Sequence, residues 1–146
     1  MEKWNLFDQP VLSIDVFLTL YKTNHHLVQK LEEQLGKYNL TLGRWCLLVI
    51  LKSSGRDMVP SELSDGLAVT RANVSNLLNA LEKEGCVRRD FDPDNRRSIL
   101  VSLTPEGHKT ISNVWPIYEQ TISKHVGNKL TLEEQKQLKI LLKKLV

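Results

Sequence analysis

The stretch PSELSDGLAVTRANVSNLLNALEKEGCVRRDFDPDNRRSILVSL, residues 60–103, decides the fold. Pro60 to Leu67 has the length of a short helix, with Leu63 and Leu67 as its apolar positions. Ala68-Val69 turns the chain, and Thr70 is placed to cap a second, longer helix that runs to about Glu84. Its apolar residues Val74, Leu77, Leu78 and Leu81 recur at the three-four spacing of one helix face. Gly85 is a helix stop. Two short helices joined by a tight turn form the helix-turn-helix pattern. After Gly85 the period changes, and Cys86–Phe91 and Ser98–Leu103 read as strands around the polar turn Asp92-Pro93-Asp94-Asn95-Arg96-Arg97. A helix-turn-helix followed by a β-hairpin is a winged helix.

The outward positions of the second helix carry the chemistry. Thr70, Arg71, Asn73, Ser75, Asn76 and Asn79 lie on its polar side, and no acid falls between Thr70 and Leu81. Three asparagines within seven positions are poor helix formers, so helix stability does not explain them. An acid-free face of amides and hydroxyls is suited to approach phosphates and read base edges, where Asn pairs with adenine and Arg with guanine. A helix N-terminus adds a place for a phosphate. The hairpin tip holds Arg96 and Arg97, an arginine pair suited to the negative potential of a narrow minor groove. The competing reading is a local salt-bridge network with Asp90, Asp92 and Asp94 that only stiffens the turn.

Outward from this core segment the chain is helical. Val11, Ile14, Phe17, Tyr21, Val28, Leu31 and Leu35 form one apolar stripe on a helix running from about Val11 to Tyr38. Such a helix is about 40 Å long, more than a chain of this size covers by itself, and its wide apolar face points to a partner chain. Thr41 opens another helix, with Trp45, Leu48, Val49 and Leu51 inward, which ends at Ser53-Ser54-Gly55. Thr104-Pro105-Glu106 supplies a cap, a proline at the first position and an acid in the first turn of the next helix, and Pro116 is expected to kink it. Thr131-Leu132-Glu133-Glu134 is a capping box that opens a last helix, with Leu138, Leu141, Leu142 and Leu145 expected inward.

Composition excludes several classes. The 146 residues are 41% hydrophobic and 25% charged, an ordinary globular balance for one domain. No apolar run approaches the roughly twenty residues of a bilayer span. The opening MEKWNLFDQP places Glu2 and Asp8 where a secretory leader carries basic and then apolar residues, so the expected location is the cytoplasm, without a membrane partner. Twenty Lys and Arg against seventeen Asp and Glu give +3, and residues 127–146 alone supply that excess. Net charge therefore does not decide for or against nucleic acid. There is no nucleophile elbow, P-loop or dinucleotide fingerprint, so no enzyme and no cofactor are expected. His25 and His26 are adjacent and diverge on a helix, while His108 and His125 stand alone, so no metal site is expected.

Residues 40–107, with the strings LTLGRWCLLVIL and PSELSDGLAVTRANVSNLLNALEKEGCVRRDFDPDNRRSILVSLTPEG and the closing TLEEQKQLKILLKKL, resemble the multiple antibiotic resistance regulator (MarR) family of winged-helix transcription factors. The specific part runs from Leu81-Glu82-Lys83-Glu84-Gly85 through Val87, Arg89, Asp92-Pro93 and Arg96-Arg97 to Leu103-Thr104. The resemblance implies a mainly α chain with a small β-hairpin: a winged helix-turn-helix lobe, residues 41–103, on an all-helical dimerisation base, residues 10–38 and 104–146. It implies a homodimer that represses transcription from a double-stranded, pseudo-palindromic operator and is released by a small aromatic or anionic effector. In the family an acid usually stands two residues before the arginine that meets DNA. Arg97 matches that arginine, and Asn95 holds the acid's place, an amide that can hydrogen-bond the guanidinium without adding charge.

The resemblance also points to an effector pocket between base and lobe, for which Phe17, Tyr21, His25, Trp45 and Trp115 are the candidate lining residues; the same spacing also suits plain core. Two alternatives share the fold. One is a winged helix used for protein–protein contact. The other is a cysteine-based redox regulator acting through Cys46 or Cys86, although peroxide sensors of the family carry their reactive cysteine near the start of the first helix. Arg88 and Arg89 would lower the Cys86 pKa if that thiol were exposed.

Overall fold

In a computed structural model, residues 11–67, 69–95 and 97–146 are described, and they form six α-helices and one hairpin in the order α1, α2, α3, α4, β1, β2, α5, α6. Helix α1 spans Leu12–Leu35 and tightens into a 3-10 turn over Gly36–Tyr38. The chain leaves that turn through Asn39, whose left-handed backbone (φ 60°) is one an asparagine tolerates. Asn39 Nδ2 donates to Glu84 at 2.9 Å, and the Leu42 amide donates to Glu32 at 2.9 Å. The end of α1 is thus tied to the elements that follow. Position 10, the first of the expected dimerisation base, lies outside the described residues, as does Ala68 of the expected turn.

Helix α2 covers Leu42–Ser54, capped by Thr41 and ended by Gly55 at φ 66°. Helices α3 (Pro60–Leu67) and α4 (Arg71–Lys83) form the helix-turn-helix. Gly85, at φ 77°, carries the chain out of α4 into β1 (Val87–Phe91), which pairs antiparallel with β2 (Ile99–Leu103) in the register Val87↔Leu103 to Phe91↔Ile99. Each strand is one residue shorter than the sequence pattern implied. The pattern also missed Met58, which bridges Val101 through two backbone hydrogen bonds and adds a third edge to the hairpin. A single residue has no periodicity to reveal it.

One core unites these parts. Trp45, Leu47, Leu48 and Leu51 of α2, Leu63 of α3, and Val74, Leu78 and Leu81 of α4 are buried together with Val87, Val101, Ile111 and Val114. Leu35 and Leu40 close it from the α1 side. Helix α5 (Pro105–Ile122) starts from the cap predicted at Thr104, whose Oγ1 accepts the Gly107 amide at 3.0 Å and donates to the Gly85 carbonyl. Pro116 lies inside α5, which continues past it to Ile122. A π-helical turn at Ser123–Gly127 then leads to α6 (Leu132–Lys143), which opens with the Thr131–Glu134 capping box.

The last helix requires a correction. Leu138, Leu141, Leu142 and Leu145 are exposed, not inward. Among the described residues no element lies over them, and Leu132, Leu138 and Leu142 line an open apolar groove with Val126 and Leu130. The first half of α1 is equally bare, with Leu12 77% and Phe17 65% exposed.

A side chain at position 107 would overlap the Cys86 carbonyl oxygen, a backbone atom that cannot swing away. Gly107→Ala should therefore lose about 1–3 kcal/mol in denaturant unfolding. Gly36→Ala, at an ordinary helical φ of −59° with open space around it, should instead gain about 0.5–1 kcal/mol.

Candidate nucleic-acid interface

Helix α4 divides cleanly. Val74, Leu78 and Leu81 are buried, Leu77 is half-buried, and Thr70, Arg71, Asn73, Ser75, Asn76 and Asn79 are exposed. Thr70 Oγ1 accepts the Asn73 amide at 3.2 Å and the Thr70 carbonyl accepts the Val74 amide. The amides of Arg71 and Ala72, in the first turn, remain as outward donors at the positive end of the helix.

Arg89 of β1 fastens the hairpin to this helix. Its Nε donates to Glu82 at 3.0 Å, and its Nη2 donates to Asn79 Oδ1 at 2.8 Å and to the second Glu82 oxygen at 3.2 Å. Asn79, grouped with the reading residues in the sequence, thus has its amide oxygen committed within the chain. The Arg89 hydrogen bond holds the Glu82 carboxyl below its usual range, and Arg89 is raised in turn.

The hairpin tip is built on side chain-to-backbone hydrogen bonds. Asp92 Oδ1 accepts the Asp94 amide at 2.9 Å, and Asn95 Oδ1 accepts the Arg97 amide at 3.2 Å. Asn95 Nδ2 reaches Ser98 Oγ at 3.3 Å, and the Asn95 carbonyl accepts the Ser98 amide at 2.9 Å. The expected brace between the Asn95 amide and the Arg97 guanidinium is therefore corrected: Asn95 holds the backbone of Arg97, because a neutral amide gains more from a fixed N–H two residues on than from a mobile exposed cation. Arg97 is exposed and, among the described residues, has no ion-pair partner. Arg96 lies outside the described residues. Of the wing acids, Asp90 pairs with Arg88 at 2.6 Å.

Among the described residues, Glu82 and Asp90 beside this surface are ion-paired, while Arg71 and Arg97 make no ion pair. Sequence reading missed two further members. Phe91 and Ile99 face each other across the hairpin and are 72% and 39% exposed. They share a face with the buried Val87 and Val101, and only the wing's projection beyond the core uncovers them.

The proposed effector residues do not assemble in one chain. Trp45 is fully buried and packs against Trp115 at 6.2 Å and Tyr118 at 5.3 Å between ring centres. Tyr118, absent from the sequence-derived set, is the third ring of this cluster, and burial pushes its hydroxyl pKa up. Phe17, Tyr21 and His25 are exposed on α1 and make no ring contact with it among the described residues. The thiol reading loses its basis as well. Burial pushes the Cys46 thiol up, and Cys86 is buried, with Sγ 3.7 Å from Thr110 Oγ1. Arg88 and Arg89, its supposed activators, are engaged with carboxylates. Among the described residues no group of three His, Cys, Asp or Glu is placed to hold a metal, and no helix is long and apolar enough to cross a membrane.

The Glu82–Arg89 pair has a readable pH signature. A carboxyl lowered on folding stabilises the fold above its unfolded pKa, and that stability disappears as pH falls through the folded value. In melts from about pH 7 to about pH 3, Glu82→Gln should lose less stability on acidification than the parent chain. It keeps the part owed to Glu62, which hydrogen bonds from Arg56 and the Val59 amide hold at about 2.

Comparison with known proteins agrees with this architecture. The MarR family model matches residues 40–99. The transcriptional repressor MprA of Escherichia coli K12 is 30% identical over 128 residues, covering 83% of this chain and 71% of its own. The HTH-type transcriptional regulator PapX of Escherichia coli is 29% identical over 126 residues, covering 86% and 76%. The crystal structure of Sco3205, a MarR family transcriptional regulator from Streptomyces coelicolor in complex with DNA, superposes with a TM-score of 0.87 at 27% identity, over 95% of this chain and 91% of that one. With the helix-turn-helix, the hairpin and the flanking long helices all accounted for, the chain belongs to the MarR family of winged-helix transcriptional regulators.

Proposed function

We infer that this chain is a homodimeric repressor that reads a pseudo-palindromic operator with Arg71, Asn73, Ser75 and Asn76 of α4 in the major groove, Thr70 at a phosphate, and Arg97 of the wing in the minor groove. The observation that carries this is the exposed, acid-free face of α4 held to an unpaired wing arginine by the Arg89 clamp. Two reading elements fixed to one another can meet one groove register at a time, and this makes contact with duplex DNA geometrically specific. Arg96 shares the tip with Arg97 in this reading. The likeness to Sco3205, which was crystallised with DNA, supports the same use of the lobe.

The dimer follows from bare apolar surface. Exposed leucines and aromatics on the first half of α1 and along α6 form larger apolar faces than a lone chain leaves in water. Residues 10–38 and 104–146 are assigned to the dimerisation base and 41–103 to the lobe. Two lobes then present two α4 helices about one helical turn, ~10 bp, apart.

Selection of bound duplexes from a random pool, with the complex sized by light scattering, should return an inverted repeat carrying one dimer. A folded chain that enriches no sequence would refute the reading. Arg97→Ala should weaken binding to all sequences and lower the salt slope by about one. Asn73→Ala or Asn76→Ala should instead relax preference at particular base pairs, by about 1–3 kcal/mol each. Leu141→Asp should yield monomers with weakened operator affinity.

A further inference from the structure

We propose that Phe91 and Ile99 of the wing pack on the deoxyribose wall of the operator, giving the lobe a non-ionic grip on DNA between its two reading elements. The proposal rests on the operator reading above and adds to it a contact that carries no charge.

The placement follows from the hairpin itself. Alternation along β1 puts Val87, Arg89 and Phe91 on one face, opposite Leu103, Val101 and Ile99 of β2. Val87 and Val101 are buried in the core, and from the same face Arg89 reaches Asn79 and Glu82 of α4. This face is therefore the one turned toward the recognition helix. Phe91 and Ile99 continue it outward, past the end of the core. Phe91 is 72% exposed, and neither residue joins the buried cluster. Fraying does not account for the exposure, because the Asp92 amide donates to the Ser98 carbonyl at 2.9 Å just beyond the pair and holds it in register. Along the hairpin, a fixed apolar step thus lies between the Arg89 clamp on α4 and the tip that carries Arg97.

Duplex DNA offers a matching surface. With α4 in a major groove and the wing tip in the neighbouring minor groove, the lobe straddles one sugar-phosphate strand. Toward the minor groove that strand presents deoxyribose C–H groups, an apolar wall above the base edges. Apolar side chains are a recurring means of engaging this groove. The surroundings suit a polyanion, since Arg97 beside the pair makes no ion pair among the described residues. A protein partner is less well matched. Two side chains supply far less than the roughly 800 Å² per partner of a stable protein interface. The larger apolar faces that call for a second copy lie elsewhere, on α1 and α6.

Two physical consequences set this contact apart from those of the arginines. A cation at a phosphate releases counterions, so its contribution fades with salt, whereas an apolar contact releases none. The contact also favours deoxyribose over ribose. A 2′-hydroxyl projects into the minor groove, where a phenyl ring would cover it without giving it a hydrogen-bond partner.

The test uses the full chain and the duplex recovered by selection, with affinity measured from about 50 to about 200 mM salt. Phe91→Ala should weaken binding about tenfold throughout, with the slope of log affinity against log salt unchanged, and Phe91→Leu should recover most of the loss. Ile99→Ala, at the less exposed member of the pair, should lose less. Ribonucleotides placed singly along the operator give a second readout. At one sugar in each half-site the parent should lose several-fold, and Phe91→Ala should lose nothing further. Unchanged affinity in Phe91→Ala, or a ribose cost that persists in that variant, would overturn the proposal while the parent's binding leaves the operator reading intact. A lowered salt slope in Phe91→Ala would overturn it as well, because it means that the wing has loosened and released Arg97. A change in particle size by light scattering would reassign the pair to contact between copies. A parent chain that binds no duplex overturns both readings.

Discussion

The backbone of Cys86 lies against the first turn of α5 so closely that only a glycine fits at position 107. At the same junction Thr104 caps α5, donates to the Gly85 carbonyl, and through its amide donates to the Cys86 carbonyl at 3.1 Å. The end of the reading helix, the start of the wing and the start of the longest C-terminal helix are thereby locked within a few residues of one another. Flexibility at this point would let the lobe swing freely against α5. With the junction fixed, the start of α5 is held against the end of the recognition helix.

From that junction outward, the lobe manages charge by committing its acids internally. Glu82 goes to Arg89, Glu62 to Arg56, Asp90 to Arg88, and Asp92 to a backbone amide. These pairs are mostly exposed, and each contributes little to stability. Their larger effect is on the field: Glu82, Glu62 and Asp90 are each offset by an arginine, while among the described residues Arg71 and Arg97 make no ion pair. A modest net charge of +3 is therefore compatible with a strongly anionic partner, because distribution and not total charge sets the local potential.

The remainder of the chain shows the opposite economy, with apolar surface left uncovered. Helix α6 contributes no buried residue, and the first half of α1 is nearly as bare. One chain thus carries a finished lobe and an unfinished base. This is the arrangement expected when the missing half of a core comes from a second copy.

Helix-turn-helix, hairpin and caps were legible in the sequence because each rests on local chemistry: Thr70, Thr104 and Thr131 cap the helices they were expected to cap, and Gly85 ends α4 in the left-handed region. The polar face of α4 was legible too, since helical period alone separates Asn73 and Asn76 from Val74 and Leu78. What periodicity does not encode is which apolar stripe finds a neighbour. The leucines of α6 and those of α2 have the same pattern, yet one set is bare and the other buried, because burial depends on what the rest of the chain brings alongside. For the same reason only the tertiary structure decided that Asn95 grips the backbone of Arg97, that Asn79 belongs to the Arg89 clamp, that Phe91 projects past the core, and that His26 and His125, 99 positions apart in the chain, meet edge to face.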